Sequence, residues 1–218
     1  MAGGDVALVS CTLNGNRAGG SGGAIAADPG GVLSGVNCCL HANYAGVQGG
    51  AIHAVGCRVL LMNCTFADNR QDIGPGAITA ESSEGRTGDE LRILNCILWN
   101  SGREIAGIGD LSVTVAYSNV QGGYQGLGNI SADPLFLDPV GPDGRVGSED
   151  DDLRLVPGSP CIDGGDPAML PNDLADTDED GNTTEPLPCD RDGRNRIVGV
   201  SVDMGAYETP APDVRGTP

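Results

Sequence analysis

CTLNGNRAGGSGGAI (Cys11–Ile25), CCLHANYAGVQGGAI (Cys38–Ile52) and CTFADNRQDIGPGAI (Cys64–Ile78) align without a gap. Each reads Cys-x-Leu/Phe-x-x-Asn, then five residues, then Gly/Pro-Gly-Ala-Ile, and the starts fall 27 and then 26 residues apart. A fourth copy opens at Cys96 in NCILWN and loses one residue before Asn100. A fifth, weaker copy is YSNV, with Ser118 in the Cys place and Val120 in the Leu/Phe place. Repetition of this length at fixed spacing marks a repeat architecture. No Leu-x-x-Leu-x-Leu run supports a leucine-rich repeat. Helical repeats are excluded by 36 Gly and 14 Pro among 218 residues, since each Gly costs a helix interior about 1 kcal/mol and each Pro about 3. What remains is all-β: a right-handed parallel β-helix, a solenoid in which each repeat is one coil stacked on its neighbour.

In such a stack the coils hold two or three short strands each, here expected over 51–55 and 58–66 in one coil and 77–80 and 91–98 in the next. Five coils at roughly 4.8 Å each make a stack of about 24 Å. The Cys and the Leu/Phe of each repeat lie two residues apart, so both point inward. Cys11, Cys38, Cys64 and Cys96 are then an internal column of apolar thiols, with Leu13, Leu40, Phe66 and Leu98 beside it. Asn16, Asn43 and Asn69 stack at a bend, each side-chain amide bonding the next. The Gly pair before Ala-Ile permits a tight turn with φ > 0.

The repeat resembles a known family. Gly-Gly-Ala-Ile (Gly22–Ile25, Gly49–Ile52, and Gly76–Ile78 as GAI) alternating with Phe-x-x-Asn (Phe66–Asn69, with Leu for Phe at Leu13–Asn16 and Leu40–Asn43) is similar to the repeats of polymorphic outer-membrane proteins. Those belong to the pectate-lyase-like right-handed parallel β-helix superfamily. The resemblance covers about residues 1–122. It implies a bacterial protein, secreted or displayed at the cell surface or outer membrane, with an adhesive or sugar-associated role. The second half resembles the C-terminal region of secreted bacterial β-helix proteins, through SADPLFLDP (Ser131–Pro139), DDDLRLVPGSPCIDGGD (Asp150–Asp166), DRDGRNRI (Asp190–Ile197) and VDMGAYE (Val202–Glu208). That implies a terminal module and leaves its chemistry open.

Charge separates the two halves. The chain carries a formal −18; residues 1–122 account for −4 and residues 123–218 for −14. The organisation expected is therefore coils over 1–122, an acidic loop-rich capping module over 123–208, and a linker-like disordered tail over 209–218. Leu153, Leu155, Val200, Val202 and Met204 alternate like short strands that extend or cap the last coil. A charge of this sign argues against nucleic acid as a partner. No apolar run approaches the ~18 residues of a membrane-spanning helix. All twelve basic residues are Arg, so no Lys-dependent chemistry exists in the chain.

Asp176, Asp178, Asp180, Gly181 and Asn182 repeat the opening of a calcium loop, with carboxylates at alternate positions before a Gly. The twelfth position is Leu187, so Glu185 serves only in a different geometry; Asp190 and Asp192 form a second, shorter pattern. The alternative is a set of solvated acidic turns. Cys161 and Cys189 lie outside the repeats in Pro-rich loops, and a disulfide between them would staple the module in an oxidising compartment. His41 and His53 read as solvent-facing strand residues. Asp68 and Asp72 flank a turn and read as surface charge. Enzymes of the resembled superfamily abstract a sugar proton with Lys or Arg or use clustered Asp on strands. Only Arg58, Arg92 or Arg103 is available for the former, and the latter's motifs are missing, so no catalytic residue is assigned.

The sequence-level expectation is a non-enzymatic scaffold outside the cell that binds polysaccharide or a cell-surface glycan or mediates adhesion. Its rival is a piece of a polysaccharide lyase or glycoside hydrolase whose catalytic coils lie upstream. Met1-Ala-Gly-Gly leads directly into a coil, so an export signal and earlier coils are expected upstream of this segment.

Overall fold

A computed structural model describes residues 4–73, 76–85, 87–100 and 102–210. The chain winds as a right-handed parallel β-helix of five coils whose strands form four parallel sheets. The first sheet stacks Val6–Val9, Val32–Val36, Arg58–Met62, Glu90–Leu94 and Ser112–Ala116. The second stacks Thr12–Asn14, Cys39–His41, Thr65–Ala67, Ile97–Trp99 and Asn119–Val120. A short third sheet holds Arg17–Ala18, Tyr44–Ala45 and Arg70–Gln71, and a fourth holds Ile25–Ala27, Ile52–Val55, Ile78–Glu81 and Ile105–Ile108.

Each long strand expected from sequence is broken at a two-residue corner. The 58–66 stretch divides into Arg58–Met62 and Thr65–Ala67, and 91–98 divides in the same way. The cause is the Asn before each Cys. Asn37, Asn63 and Asn95 sit at φ of 52°, 50° and 52°, the left-handed region that Asn tolerates better than most residues, and this turns the chain through a corner. The two glycines of each Gly-Gly-Ala-Ile act differently. Gly22 and Gly49 supply positive φ (73° and 63°). Gly23 and Gly50 supply clearance, because a Cβ there would stand 2.0 Å from the Gly50 carbonyl oxygen and 2.7 Å from the Arg70 amide nitrogen of the next coil.

The interior follows the repeat. Leu13, Leu40, Phe66 and Leu98 pair in register across the second sheet, and the last three are fully buried among Ile52, Ile78, Val59, Leu61, Leu91 and Ile93. The thiols stack beside them: the Cys64 amide donates to the Cys96 sulfur (3.4 Å). Ser118 continues the column, its hydroxyl accepting from the Cys96 amide at 3.0 Å. The asparagines form a hydrogen-bonded ladder. Asn16 Nδ2 donates to Asn43 Oδ1 (2.9 Å), Asn43 Nδ2 to Asn69 Oδ1 (2.8 Å), and Asn69 Nδ2 to Asn100 Oδ1 (2.8 Å). Buried Glu104 ends the ladder, accepting from Asn100 Nδ2 at 2.6 Å and from its backbone amide at 3.0 Å. Burial raises the Glu104 carboxyl above the usual carboxylate range.

The C-terminal half lies along the flank of the stack, over the outward face of the second sheet, and not across its end. Only a fragment of a further coil follows, with Ile130 bridging Asn119 in parallel. Beyond it a two-stranded antiparallel sheet (Phe136–Asp138 with Asp152–Leu155) packs Leu155, with Cys161 and Met204, on Ile97. The 200–204 stretch is not a strand, although its alternation suggested one. Its backbone bonds go singly to different partners: Gly165 donates to the Val202 carbonyl and the Met204 amide to the Cys161 carbonyl. Val202 and Met204 are buried while Val200 is exposed. Of the expected disordered tail, 211–218 lie outside the described residues, and the Thr209 amide is tied to Asp203 Oδ2 (2.8 Å).

The module is fastened to the coils by corner asparagines. Asn37 Nδ2 donates to the Cys189 carbonyl (2.7 Å), and Asn95 exchanges two bonds with the Asp166 backbone (2.9 and 3.0 Å). Gly205 lies so close to the sheet that a Cβ there would stand 2.7 Å from Thr65 Oγ1. The expected Cys161–Cys189 disulfide is absent. All eight cysteines are free thiols. Cys161 faces Asn119 Nδ2 at 3.1 Å inside the interface, so buried side-chain packing, not a covalent staple, holds the module.

Candidate functional site

Four groups of polar side chains merit a chemical reading. On the outward face of the first sheet, Glu90 stands directly across from Arg58 in the neighbouring coil, and Arg92 follows on the same side of its own strand. Glu90 pairs with both, at 3.3 Å to Arg58 and 3.7 Å to Arg92, and the two Arg side chains remain 52 % and 43 % exposed. Ser34, Ser112 and Thr114 share this face through the parallel register. The result is a partly exposed outward strip of hydroxyls and guanidiniums, interrupted by Leu60 between Ser34 and Arg92. Arg103, the third candidate base, is remote from the strip, next to the Asn100–Glu104 end of the ladder.

The second group is the acidic hairpin 173–185. Its base is closed by the bridge between Asn172 and Pro186 and by the Asp173 amide donating to the Glu185 carbonyl (2.9 Å). Asp173, Asp178 and Glu185 bring one carboxylate oxygen each within 4.8 Å of one another, as do Asp176, Asp178 and Asp180. Asp173 is 1 % exposed. Its Oδ2 accepts from the Thr177 amide (2.7 Å) and hydroxyl (3.0 Å), while Oδ1 and the Glu185 Oε1 are buried without a partner. Partial burial, with Asp180, Asp178, Asp173 and Asp176 nearby, holds the Glu185 carboxyl above its usual range. The other residues expected in a cation site are spent elsewhere. Asn182 Oδ1 accepts from the Thr184 amide and hydroxyl. Asp192 pairs with Arg194 (3.3 Å) and Arg154 (3.9 Å).

Asp190 belongs to a third group. It is buried, accepting from the amides of Asp192, Arg194 and Glu208 (2.7–2.8 Å). Nearby Arg196, also buried, donates to the carbonyls of Asp203, Ala206 and Gly205 (2.8–3.1 Å). Its Nε stands 3.8 Å from Glu208, which accepts from the Val198 and Asp203 amides (both 3.1 Å). The stretches DRDGRNRI and VDMGAYE thus supply one buried network, Asp190, Arg196, Asp203 and Glu208, that ties loops together. Burial first, and then Asp203, pushes the Glu208 carboxyl up to about 8.

The fourth group corrects the reading of His41 as solvent-facing. His41 does point outward from the coil, but the 141–152 loop covers it, leaving it 2 % exposed. Its Nδ1 meets Asp151 at 3.2 Å, and its Nε2 stands 3.8 Å from Asp68, whose carboxyl is held below the usual range chiefly by His41. His41 and Asp151 border a cavity of about 340 Å³ with Thr12, Cys39, Arg191 and Tyr207. Burial pushes the Cys39 thiol up to about 12, so it is no thiolate nucleophile near neutrality. His53, by contrast, is partly exposed and meets Glu81 at 3.1 Å; Asp72 accepts from the Tyr44 hydroxyl. Sequence reading missed Asp173 and the His41–Asp151 pair. Both depend on segments 110 or more residues distant or on hairpin closure, and no local pattern reports either.

Set against known proteins, the chain matches no family model, no curated protein and no solved structure.

Proposed function

We propose that this chain is a non-enzymatic β-helix scaffold, secreted or held at a cell surface, that binds a neutral polysaccharide along the outward face of its first sheet. The Arg58–Glu90–Arg92 strip carries the reading. Coils rise about 4.8 Å apiece, close to the length of one sugar ring in an extended chain, so successive coils offer donors and acceptors to successive residues. Exposed guanidiniums partnered by a carboxylate suit sugar hydroxyls, which accept from the one and donate to the other. The charge of −18 disfavours an acidic polymer as the main ligand. Guanidiniums this exposed to solvent also suit binding better than turnover, since catalysis gains most from a water-excluded site.

The test is a glycan array followed by titration of the best neutral polysaccharide against the wild type and Arg58→Ala/Arg92→Ala. The expected result is saturable binding weakened at least tenfold in the double variant. Equal binding by both proteins overturns the proposed face. Release of unsaturated uronates or reducing ends by the wild type overturns the non-enzymatic reading in favour of a lyase or hydrolase.

A further inference from the structure

We infer that the 173–185 hairpin is a calcium site whose anchor is Asp173, with Asp178 and Glu185 as the other carboxylate ligands. Three observations support it. First, the three side chains bring an oxygen each to within 4.8 Å, a spacing that a central Ca²⁺ with oxygen ligands at 2.3–2.6 Å bridges. Secondly, Asp173 is 1 % exposed, and its Oδ1, like the Glu185 Oε1, is buried with no hydrogen-bond partner. A buried carboxylate oxygen left bare costs free energy that a cation relieves. Thirdly, the other oxygen of Asp173 is fixed by Thr177, so the bare one is oriented before any ion arrives.

The donor set is oxygen alone, which selects a hard cation over zinc or copper. Calcium is favoured over magnesium because an irregular, partly exposed loop meets its variable coordination, whereas Mg²⁺ demands near-ideal octahedral geometry and sheds water reluctantly. The Asp-x-Asp-x-Asp-Gly pattern therefore works differently from what its spacing implies. Asp178 points to the centre, and the remaining ligands come from the two stems of the hairpin. Asp176 instead shapes the turn, its Oδ1 accepting from the Gly181 amide (3.0 Å). The ion would cross-link the stems and offset the mutual repulsion of the hairpin's six carboxylates.

Isothermal titration of the full chain with CaCl₂, and separately with MgCl₂, tests this. The expected result is one Ca²⁺ per chain, bound at least tenfold more tightly than Mg²⁺. Asp173→Asn and Glu185→Gln should each weaken Ca²⁺ at least tenfold, with Asp192→Asn within twofold of wild type. Circular dichroism melts establish that the variants are folded, and two variants on opposite stems guard against one failing to fold. Absence of saturable Ca²⁺ binding by the wild type overturns the site. Unchanged affinity in folded Asp173→Asn or Glu185→Gln moves it to the exposed Asp176, Asp178 and Asp180 and overturns this assignment.

Discussion

At the scale of single residues, the asparagine ladder shows why one side-chain type recurs once per coil. A bend leaves backbone groups without strand partners, and buried backbone groups must be satisfied. Asn does this with one amide: Asn69 donates to the Leu40 carbonyl and to Asn100 Oδ1, and accepts from both the backbone and the side chain of Asn43. Its own backbone amide donates to Asn100 Oδ1 at 2.8 Å. Neither Asp nor Ser reproduces this set, since Asp lacks donors and Ser has only one. Position within the ladder sets the cost of loss. Asn69→Ala orphans buried groups on both neighbouring coils and should destabilise by about 2–4 kcal/mol, at about 1–3 kcal/mol per unsatisfied buried group. Asn16, at the outer end and exposed, gives up bonds that water replaces, so Asn16→Ala should cost about 1 kcal/mol. Urea denaturation of the two variants checks the difference; equal midpoints would mean that the ladder is not a source of stability.

At the scale of elements, Gly205 decides how the acidic half meets the coils. Its φ is 94°, and an added Cβ would press on Thr65 Oγ1 at 2.7 Å and Ile97 Cδ1 at 2.8 Å. Gly205→Ala should therefore push the Val202–Glu208 stretch off the second sheet, at a cost of more than about 2 kcal/mol from strain and overpacking together. Limited proteolysis checks this through faster cleavage within 156–208 while the 32–100 coils stay intact; an unchanged cleavage pattern would show that the docking tolerates the shift. These same elements mark what a sequence reveals. The coils were legible because stacked like residues repeat in the chain as they do in space: Cys38 over Cys64, Leu40 over Phe66, Asn43 over Asn69. The corner asparagines were legible only as letters, since nothing local says that Asn63 turns the chain and splits a strand. The flank docking was not legible, because Gly205 meets Thr65 across 140 positions and neither side carries a period. The hairpin lies between these cases. Its alternating Asp residues suggested a cation loop, but Asp173 joins the carboxylate cluster only when Asn172 and Pro186 pair.

For the whole molecule, the distribution of charge sets a preferred pH. Glu208 lies beside Arg196, Asp190 and Asp203 with almost no access to solvent, in the half that carries a net −14. Its carboxyl titrates near 8 in the folded chain against an ordinary value of 4.5, and burial raises Asp203 in the same direction. The folded state therefore holds a proton that the unfolded state has released, and stability must fall as pH rises between those two values. The slope is at most about 1.4 kcal/mol per pH unit for each such group. Asp68 acts in the opposite sense. Its carboxyl is depressed, chiefly by His41, so the stability it adds is present above the ordinary aspartate range and is lost as pH falls through its lowered value. Together they place the optimum in acid solution, between the ordinary aspartate and glutamate values of 3.8 and 4.5. Thermal melts from pH 3 to pH 9 should show this maximum, with the melting temperature falling steadily from pH 5 to pH 8. General self-repulsion of an acidic chain also grows over that interval, and two comparisons separate the causes. Added salt screens exposed charges but barely reaches a buried one, so a decline due to Glu208 persists at high ionic strength. Glu208→Gln keeps the shape and removes the proton, so its melting temperature should change much less between pH 5 and pH 8. An equally steep fall in that variant would assign the pH dependence to surface charge and not to the buried network.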